Sequence, residues 1–248
     1  MAVTQFIRNV SLRRERVPDF SHYPFSIPAV KTLDELPLHT KITFFVGENG
    51  TGKSTLLEGI AAAFGLNPEG GTRNFTFSTY RSHSELEQYL LLVKGVIRPR
   101  DAFFLRAESF YNVATEIERL DEIIPLKHVY GGSLHECSHG ESFFALLNNR
   151  LGGNGLYIFD EPEAALSPQR QLAMLCRIHQ LVEDGSQLLI ATHSPILTAY
   201  PDCWIYECSE KGIARISYEE TENYRLTKHF LCNHTHMLEQ LLDEGEQS

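Results

Sequence analysis

Gly47-Glu48-Asn49-Gly50-Thr51-Gly52-Lys53-Ser54-Thr55 is the stretch whose residue types and spacing most directly imply chemistry. Its glycines let the backbone bend around a phosphate chain with successive N–H groups pointing inward. Lys53 stands where a side chain reaches β- and γ-phosphates, and Ser54 where a hydroxyl meets Mg²⁺. An apolar run, Ile42-Thr43-Phe44-Phe45-Val46, precedes the loop, and an apolar helical pattern from Leu56 to Phe64 follows it. Strand, glycine loop and helix together form the context of a phosphate-binding P-loop, with the helix N-terminus adding its positive dipole end. The sequence therefore predicts nucleotide binding.

A second chemical centre lies in the other half of the chain. Gly155-Leu156-Tyr157-Ile158-Phe159 is an apolar strand pattern that ends in two adjacent carboxylates, Asp160 and Glu161, before Pro162. In a parallel sheet such a strand delivers its acids to the edge where the P-loop sits. Asp160 is the expected Mg²⁺ ligand, and Glu161 the group that polarises water for attack on the γ-phosphate. A further buried strand, 187–192, ends at His193-Ser194-Pro195, which puts His193 where a γ-phosphate can be sensed.

The elements that must position these groups follow in order. Residues 5–17 read as a strand carrying a basic cluster (Arg8, Arg13, Arg14, Arg16), and 21–31, with Pro24 and Pro28, as an edge-like extended segment. Phe20, Tyr23 and Phe25 are candidates to stack on adenine or to pack under the sheet. Residues 34–40 read as a polar connection, 65–73 as a loop, 75–79 as a short strand, and 84–93 as a helix capped by Ser82 or Ser84. A strand is expected at 102–106 and an acidic amphipathic helix at 110–124. A helix begins near Ser167, with Leu172, Leu175, Ile178 and Leu181 on one face. A hairpin, 203–207 with 212–217, and C-terminal helices to about Leu242 close the chain.

Composition bounds the class. The 248 residues suffice for one large α/β domain with a buried core. No apolar run approaches the roughly 20 residues of a membrane-spanning helix. The first ten residues lack a basic opening and an apolar core, so a cytoplasmic location is expected. Five cysteines without a CxxC pair read as reduced thiols, and His234-Thr235-His236 as surface or packing histidines. A net charge of −10 argues against a generally basic nucleic-acid binder.

The set of motifs resembles the ATP-binding cassette (ABC) ATPases. Residues 47–54 look like the Walker A motif, 156–161 like Walker B with its adjacent glutamate, and Ala165-Leu166-Ser167 like the D-loop. His193 looks like the switch histidine. Cys137-Ser138-His139-Gly140-Glu141-Ser142 resembles a variant of the Leu-Ser-Gly-Gly-Gln signature that keeps the serine and second glycine but departs at Cys137, His139 and Glu141. The wording of Asp160-Glu161-Pro162-Glu163 and Ala191-Thr192-His193-Ser194-Pro195 is similar to the soluble branch that includes RecF, SMC and OLD-type heads, and to small stand-alone bacterial ATPases. Where that family carries a Q-loop glutamine, this chain has Ala107-Glu108-Ser109, with Glu108 the candidate for the metal or water contact.

The resemblance implies an α/β P-loop NTPase fold: a mostly parallel sheet, an N-terminal antiparallel β segment and a short helical insert at about 109–140, in one domain spanning 1–248. It implies ATP and Mg²⁺ as ligands. The expected nucleotide contacts are Gly47, Asn49, Gly50, Gly52, Lys53, Ser54 and Thr55, with Ser138, Gly140 and Glu141 reaching the nucleotide of a partner. Catalysis is expected of Glu161, His193 and Lys53, and metal binding of Ser54, Asp160 and Glu108. An ATP-dependent homodimer is the expected state. Three purposes stay open: action on DNA or another soluble partner in genome maintenance or defence, service as the ATP-binding subunit of a membrane permease (disfavoured by the short insert), and a nucleotide-gated adaptor with little turnover.

Overall fold

The computed structural model describes residues 5–68, 70–71, 84–107, 139–164 and 166–243, without the side chains of 139–143 and Asp243. Its centre is a six-stranded sheet in the order β5 (Asp101–Arg106), β6 (Gly155–Asp160), β7 (Gln187–Ala191), β3 (Ile42–Val46), β8 (Trp204–Ser209) and β9 (Gly212–Ile216). Neighbouring strands from β5 through β8 run parallel, and β9 returns antiparallel to β8. Every residue of β3, β6 and β7 is buried, the pattern of parallel strands covered on both faces.

Alternate side chains along these strands feed two core layers. Phe44, Phe103, Tyr157, Phe159, Leu188 and Ile190 pack against Leu146 and Leu147 of one helix (His139–Asn149) and Met174, Ile178 and Leu181 of another (Pro168–Glu183). Phe45, Phe104, Leu156, Ile158 and Leu189 pack on the opposite face against Leu56, Leu57 and Ile60 of the P-loop helix (Lys53–Phe64). That second layer is closed by a small antiparallel sheet, β2 (Glu35–Pro37), β1 (Ile7–Leu12) and β4 (Leu90–Lys94). One buried amide ties the two sheets. Gln187 Oε1 accepts from the backbone of Phe6 and of Ile7, each at 2.9 Å, while its Nε2 donates to Ile7 O and His39 O at 2.8 and 2.9 Å. A buried amide satisfied on both ends stabilises, whereas an unsatisfied one would be costly.

Several local expectations change. The strand at 5–17 stops at Leu12, and Arg14–Arg16 form a 3₁₀ turn, so the basic cluster is not a strand face. The extended segment at 21–31 is instead turns followed by a short helix, Pro28–Lys31, with Pro28 at the first helical position, where its missing N–H costs nothing. Residues 34–40 contain β2, whose Pro37 sits on an edge strand, the place a sheet tolerates proline. The helix expected at 84–93 is a 3₁₀ turn, Glu85–Gln88, running into β4. Leu90 and Leu92 pair with Leu12 and Val10 of β1, so tertiary pairing overrides the helical spacing of the leucines. On the helix that starts after Ser167, Leu172 is exposed and Met174 takes the core position. Ser167 caps it by accepting from Arg170 N.

The strand at 102–106, the strand ending at Asp160 and the closing hairpin form as expected, and the strand expected at 187–192 stops one residue earlier, at Ala191. The C-terminal helix, Glu222–Asp243, breaks its helical geometry at Asn233. The strand expected at 75–79, the helix at 110–124 and most of the insert lie outside the described residues. No described helix is long and apolar enough to cross a membrane.

Candidate functional site

Parallel strands put their C-terminal ends on one edge of the sheet, and the candidate groups gather there. The P-loop leaves β3, Asp160 ends β6, Arg106 ends β5, and His193 lies two residues beyond β7. The loop itself needs glycine for two different reasons. Gly47 has φ +132°, and a Cβ there would stand 2.1 Å from the carbonyl oxygen of Cys208 on β8. Gly52, at φ +100°, caps the P-loop helix, and its Cβ would meet the Ile27 side chain at 2.4 Å.

Lys53 folds back over this loop. Its ammonium donates to the carbonyls of Gly47 and Glu48, both at 2.8 Å. Burial pushes its pKa below the usual lysine value, against the pull of Glu161 and other nearby acids. Beside it, Ser54 Oγ donates to Asp160 Oδ1 at 2.9 Å across the intervening β7. Asp160 is buried, with Arg106 Nε 3.5 Å from its other oxygen. Arg106 also meets Glu58 of the P-loop helix at 3.1 Å.

The adjacent corner is built from side chains. Glu161 adopts a left-handed backbone, φ +50°, with its N–H donating to Ala191 O at 3.0 Å. Such a conformation costs a non-glycine residue about 1–3 kcal/mol and tends to mark a functional position. Glu161 Oε1 lies 3.4 Å from His193 Nε2, an atom shielded from solvent that makes no well-directed hydrogen bond among the described residues. His193 N–H donates to Glu163 Oε1 at 2.6 Å, and His193 O accepts from Asn223 Nδ2 at 2.9 Å. Burial raises the Glu163 carboxyl above the ordinary glutamate range, opposed by the His193 N–H.

A cavity of about 280 Å³ lies over the cradle, lined by Tyr23, Asn49, Gly52, Lys53, Ser54 and Glu161 among others. Of the three adenine candidates, only Tyr23 reaches it, and Tyr23 is 61% exposed. Phe25 is buried edge-on against Phe20 and Tyr89, and Phe20 lies under the Arg14 guanidinium. The structure thus gathers Gly47, Asn49, Gly50, Gly52, Lys53, Ser54, Thr55, Asp160, Glu161 and His193 along one edge. Ser138, Glu108 and the side chain of Glu141 lie outside the described residues, and Gly140 is described only as a backbone turn of its helix. Two residues of the site, Arg106 and Asn223, are not assigned to it by the sequence motifs. Arg106 carries a signal in ending an apolar strand as Asp160 does, whereas Asn223 carries none.

The hard oxygen donors of Ser54 and Asp160, held 2.9 Å apart beside a buried lysine, fit Mg²⁺ bound to a phosphate chain. Glycine backbone, cation and hydroxyl in this order accept polyphosphate and leave a carboxylate, Glu161, facing the same space.

Comparison with known proteins bears on the fold. A family model described as an AAA domain matches residues 29–121. A solved metal-chelate-type ABC transporter in an inward-facing conformation superposes with a TM-score of 0.51 at 14% identity, over 90% of this chain and 88% of that one. The fold is that of an ABC-type ATPase head. An uncharacterised ABC transporter ATP-binding protein of Haemophilus influenzae is 28% identical over 68% of this chain and 68% of its own length. ABC transporter E family member 1 of Arabidopsis thaliana is 26% identical over 64% of this chain, but the match spans only 29% of that longer protein.

Proposed function

We propose that this chain binds Mg·ATP and hydrolyses it to ADP and phosphate, as a single ATPase domain whose closed state is an ATP-sandwiched homodimer. The observation that carries this reading is the Ser54–Asp160 contact of 2.9 Å beside buried Lys53, with Glu161 lining the same cavity. Gly47, Asn49, Gly50, Gly52 and Thr55 cradle the phosphates, and Tyr23 offers its exposed ring to the adenine. Ser54 and Asp160 would hold Mg²⁺, which when bound would neutralise charge developing on the β- and γ-phosphates. Lys53 leaves the carbonyls of Gly47 and Glu48 for the phosphates, exchanging two neutral acceptors for charged ones. Glu161 orients the attacking water and takes its proton, and His193, whose Nε2 stands 3.4 Å from Glu161 Oε1, senses the γ-phosphate. Glu108 would be a further oxygen donor to the metal. Ser138, Gly140 and Glu141 close over the partner's nucleotide, so that ATP acts as interfacial glue and hydrolysis releases it.

The test is Mg·ATP turnover by the full chain, with light scattering of Glu161→Gln in ATP and in ADP. Turnover, together with a dimer trapped only in ATP and prevented by Ser138→Arg, is expected. Absence of turnover in the wild type would leave the nucleotide-gated adaptor as the better reading.

For its cellular role we propose a cytoplasmic ATPase acting on DNA or a soluble effector in genome maintenance or defence, supported by the Asp-Glu-Pro-Glu wording at 160–163. A second reading, the ATP-binding subunit of a membrane transporter, is supported by the relatives named ABC transporter proteins. Affinity purification of Glu161→Gln from native lysate in ATP separates them. Nucleic acid or a soluble DNA enzyme recovered only with ATP supports the first, and an integral membrane protein supports the second.

A further inference from the structure

We infer that Asn223 is a positioning residue for His193, which makes the first turn of the C-terminal helix a working part of the nucleotide switch. The inference rests on the reading of His193 as the γ-phosphate sensor. The histidine follows β7 by two residues, and no regular element holds it. Its two backbone polar groups are instead held by side chains from opposite directions. Glu163 Oε1 accepts from the His193 N–H at 2.6 Å, and Asn223 Nδ2 donates to the His193 carbonyl at 2.9 Å. With both groups fixed, the imidazole is aimed so that Nε2 stands 3.4 Å from Glu161 Oε1.

The segment that delivers Asn223 is stiff. Ser217 and Glu220 form a capping box, and Thr221 is buried, its hydroxyl donating to Tyr218 O at 2.8 Å. A second bond pins the same segment to the same loop, from Tyr218 OH to Pro195 O at 2.9 Å. The start of the C-terminal helix and the turn that leads into it are therefore bolted at two carbonyls, His193 and Pro195, on either side of Ser194. Asn223 also lines a cavity of about 430 Å³ together with Gly47, Asn49 and His193. A packing role alone would be met by any side chain of this size. Donation to the His193 carbonyl requires an N–H.

That requirement sets the test. Asn223→Asp keeps shape but replaces the donor with a charged acceptor, so it is read beside the uncharged Asn223→Leu, in which the same changes are expected, and Asn223→His restores an N–H at similar reach. For the full chain, kcat for Mg·ATP should fall about tenfold in Asn223→Asp, the rate equivalent of one lost hydrogen bond of about 1.4 kcal/mol. KM should change less than about threefold, and Asn223→His should recover most of kcat. A readout independent of turnover accompanies it. In protein labelled at histidine, the His193 ring resonance, assigned by its loss in His193→Gln, should shift on addition of a non-hydrolysable ATP analogue with Mg²⁺. That shift should shrink in Asn223→Asp and return in Asn223→His. A His193 response in a wild type without turnover would remove the hydrolysis reading and keep the positioning role. An unchanged response and kcat in a folded Asn223→Asp protein, or no His193 response in the wild type, would overturn the positioning role itself.

Discussion

The phosphate cradle and the switch corner lie on the same sheet edge yet are built by opposite means. The cradle, residues 47–55, is a contiguous run whose shape comes from its own backbone: glycines at positive φ, a helix opening at Lys53, and an ammonium folded onto carbonyls five and six residues away. The corner joins Glu161, Glu163, His193 and Asn223, each of the two side chains that grip His193 lying 30 residues from it. A cradle of this kind is specified locally and survives wherever a strand and helix flank it. The corner exists only once β6, β7 and the C-terminal helix are all in place.

The two designs should fail differently. The largest effect is expected of Lys53→Ala, which removes the one cation of the cradle. Nucleotide affinity should weaken and turnover fall by more than about 10³-fold, read by equilibrium titration with a fluorescent ATP analogue and by phosphate release. Glu161→Gln should keep that affinity while turnover falls about 10²–10³-fold, the usual contribution of a positioned base. Wild-type turnover in Glu161→Gln would remove the corner from the chemistry and leave the cradle as the whole site.

That difference also explains what was legible in the sequence. Lys53, Ser54, Asp160 and Glu161 could be named because each sits at a fixed offset from an apolar strand, and burial on both faces makes such strands plain runs of apolar residues. The expectation at His193 follows the same logic. Asn223 carries no such signal, since its contact is a hydrogen bond across 30 residues that no periodicity encodes. The helical pattern at β4 misleads for a related reason. Leucines at 86, 90, 91 and 92 fit helical spacing, and only pairing with β1 decides that Leu90 turns inward and Leu91 outward. Among the aromatics, type alone could not separate Tyr23, at the cavity, from Phe25, in the core.

Within the cradle, smaller effects separate its two kinds of glycine. Gly47→Ala places a Cβ 2.1 Å from a backbone oxygen of β8 at φ +132°. It should destabilise the fold by about 1–3 kcal/mol or more. At Gly50, with φ +81°, an added Cβ would have nothing within 4 Å, so Gly50→Ala carries only the left-handed backbone cost of about 1–2 kcal/mol. Thermal unfolding of the pair measures the gap. Equal Tm values would mean that the β3–β8 approach does not constrain the loop.

The smallest effect belongs to the corner and concerns pH. Burial raises the Glu163 carboxyl above its unfolded value, so the folded state holds that proton to higher pH than the unfolded chain does. The contribution to stability is fully present below the unfolded glutamate value. It declines as pH rises toward the raised folded value, because there the unfolded chain binds fewer protons than the native state. Glu163→Gln cannot titrate but still presents an oxygen to the His193 N–H. The wild type should therefore lose stability relative to this variant across that window, and the difference should level off above it. Turnover should suffer less than in Glu161→Gln, since the acceptor that holds His193 is kept. Urea unfolding at a series of pH values reads the slope directly. Parallel curves for the two proteins would mean that Glu163 is solvated, and the corner would then lose its claim to be a buried, side-chain-built counterpart of the cradle.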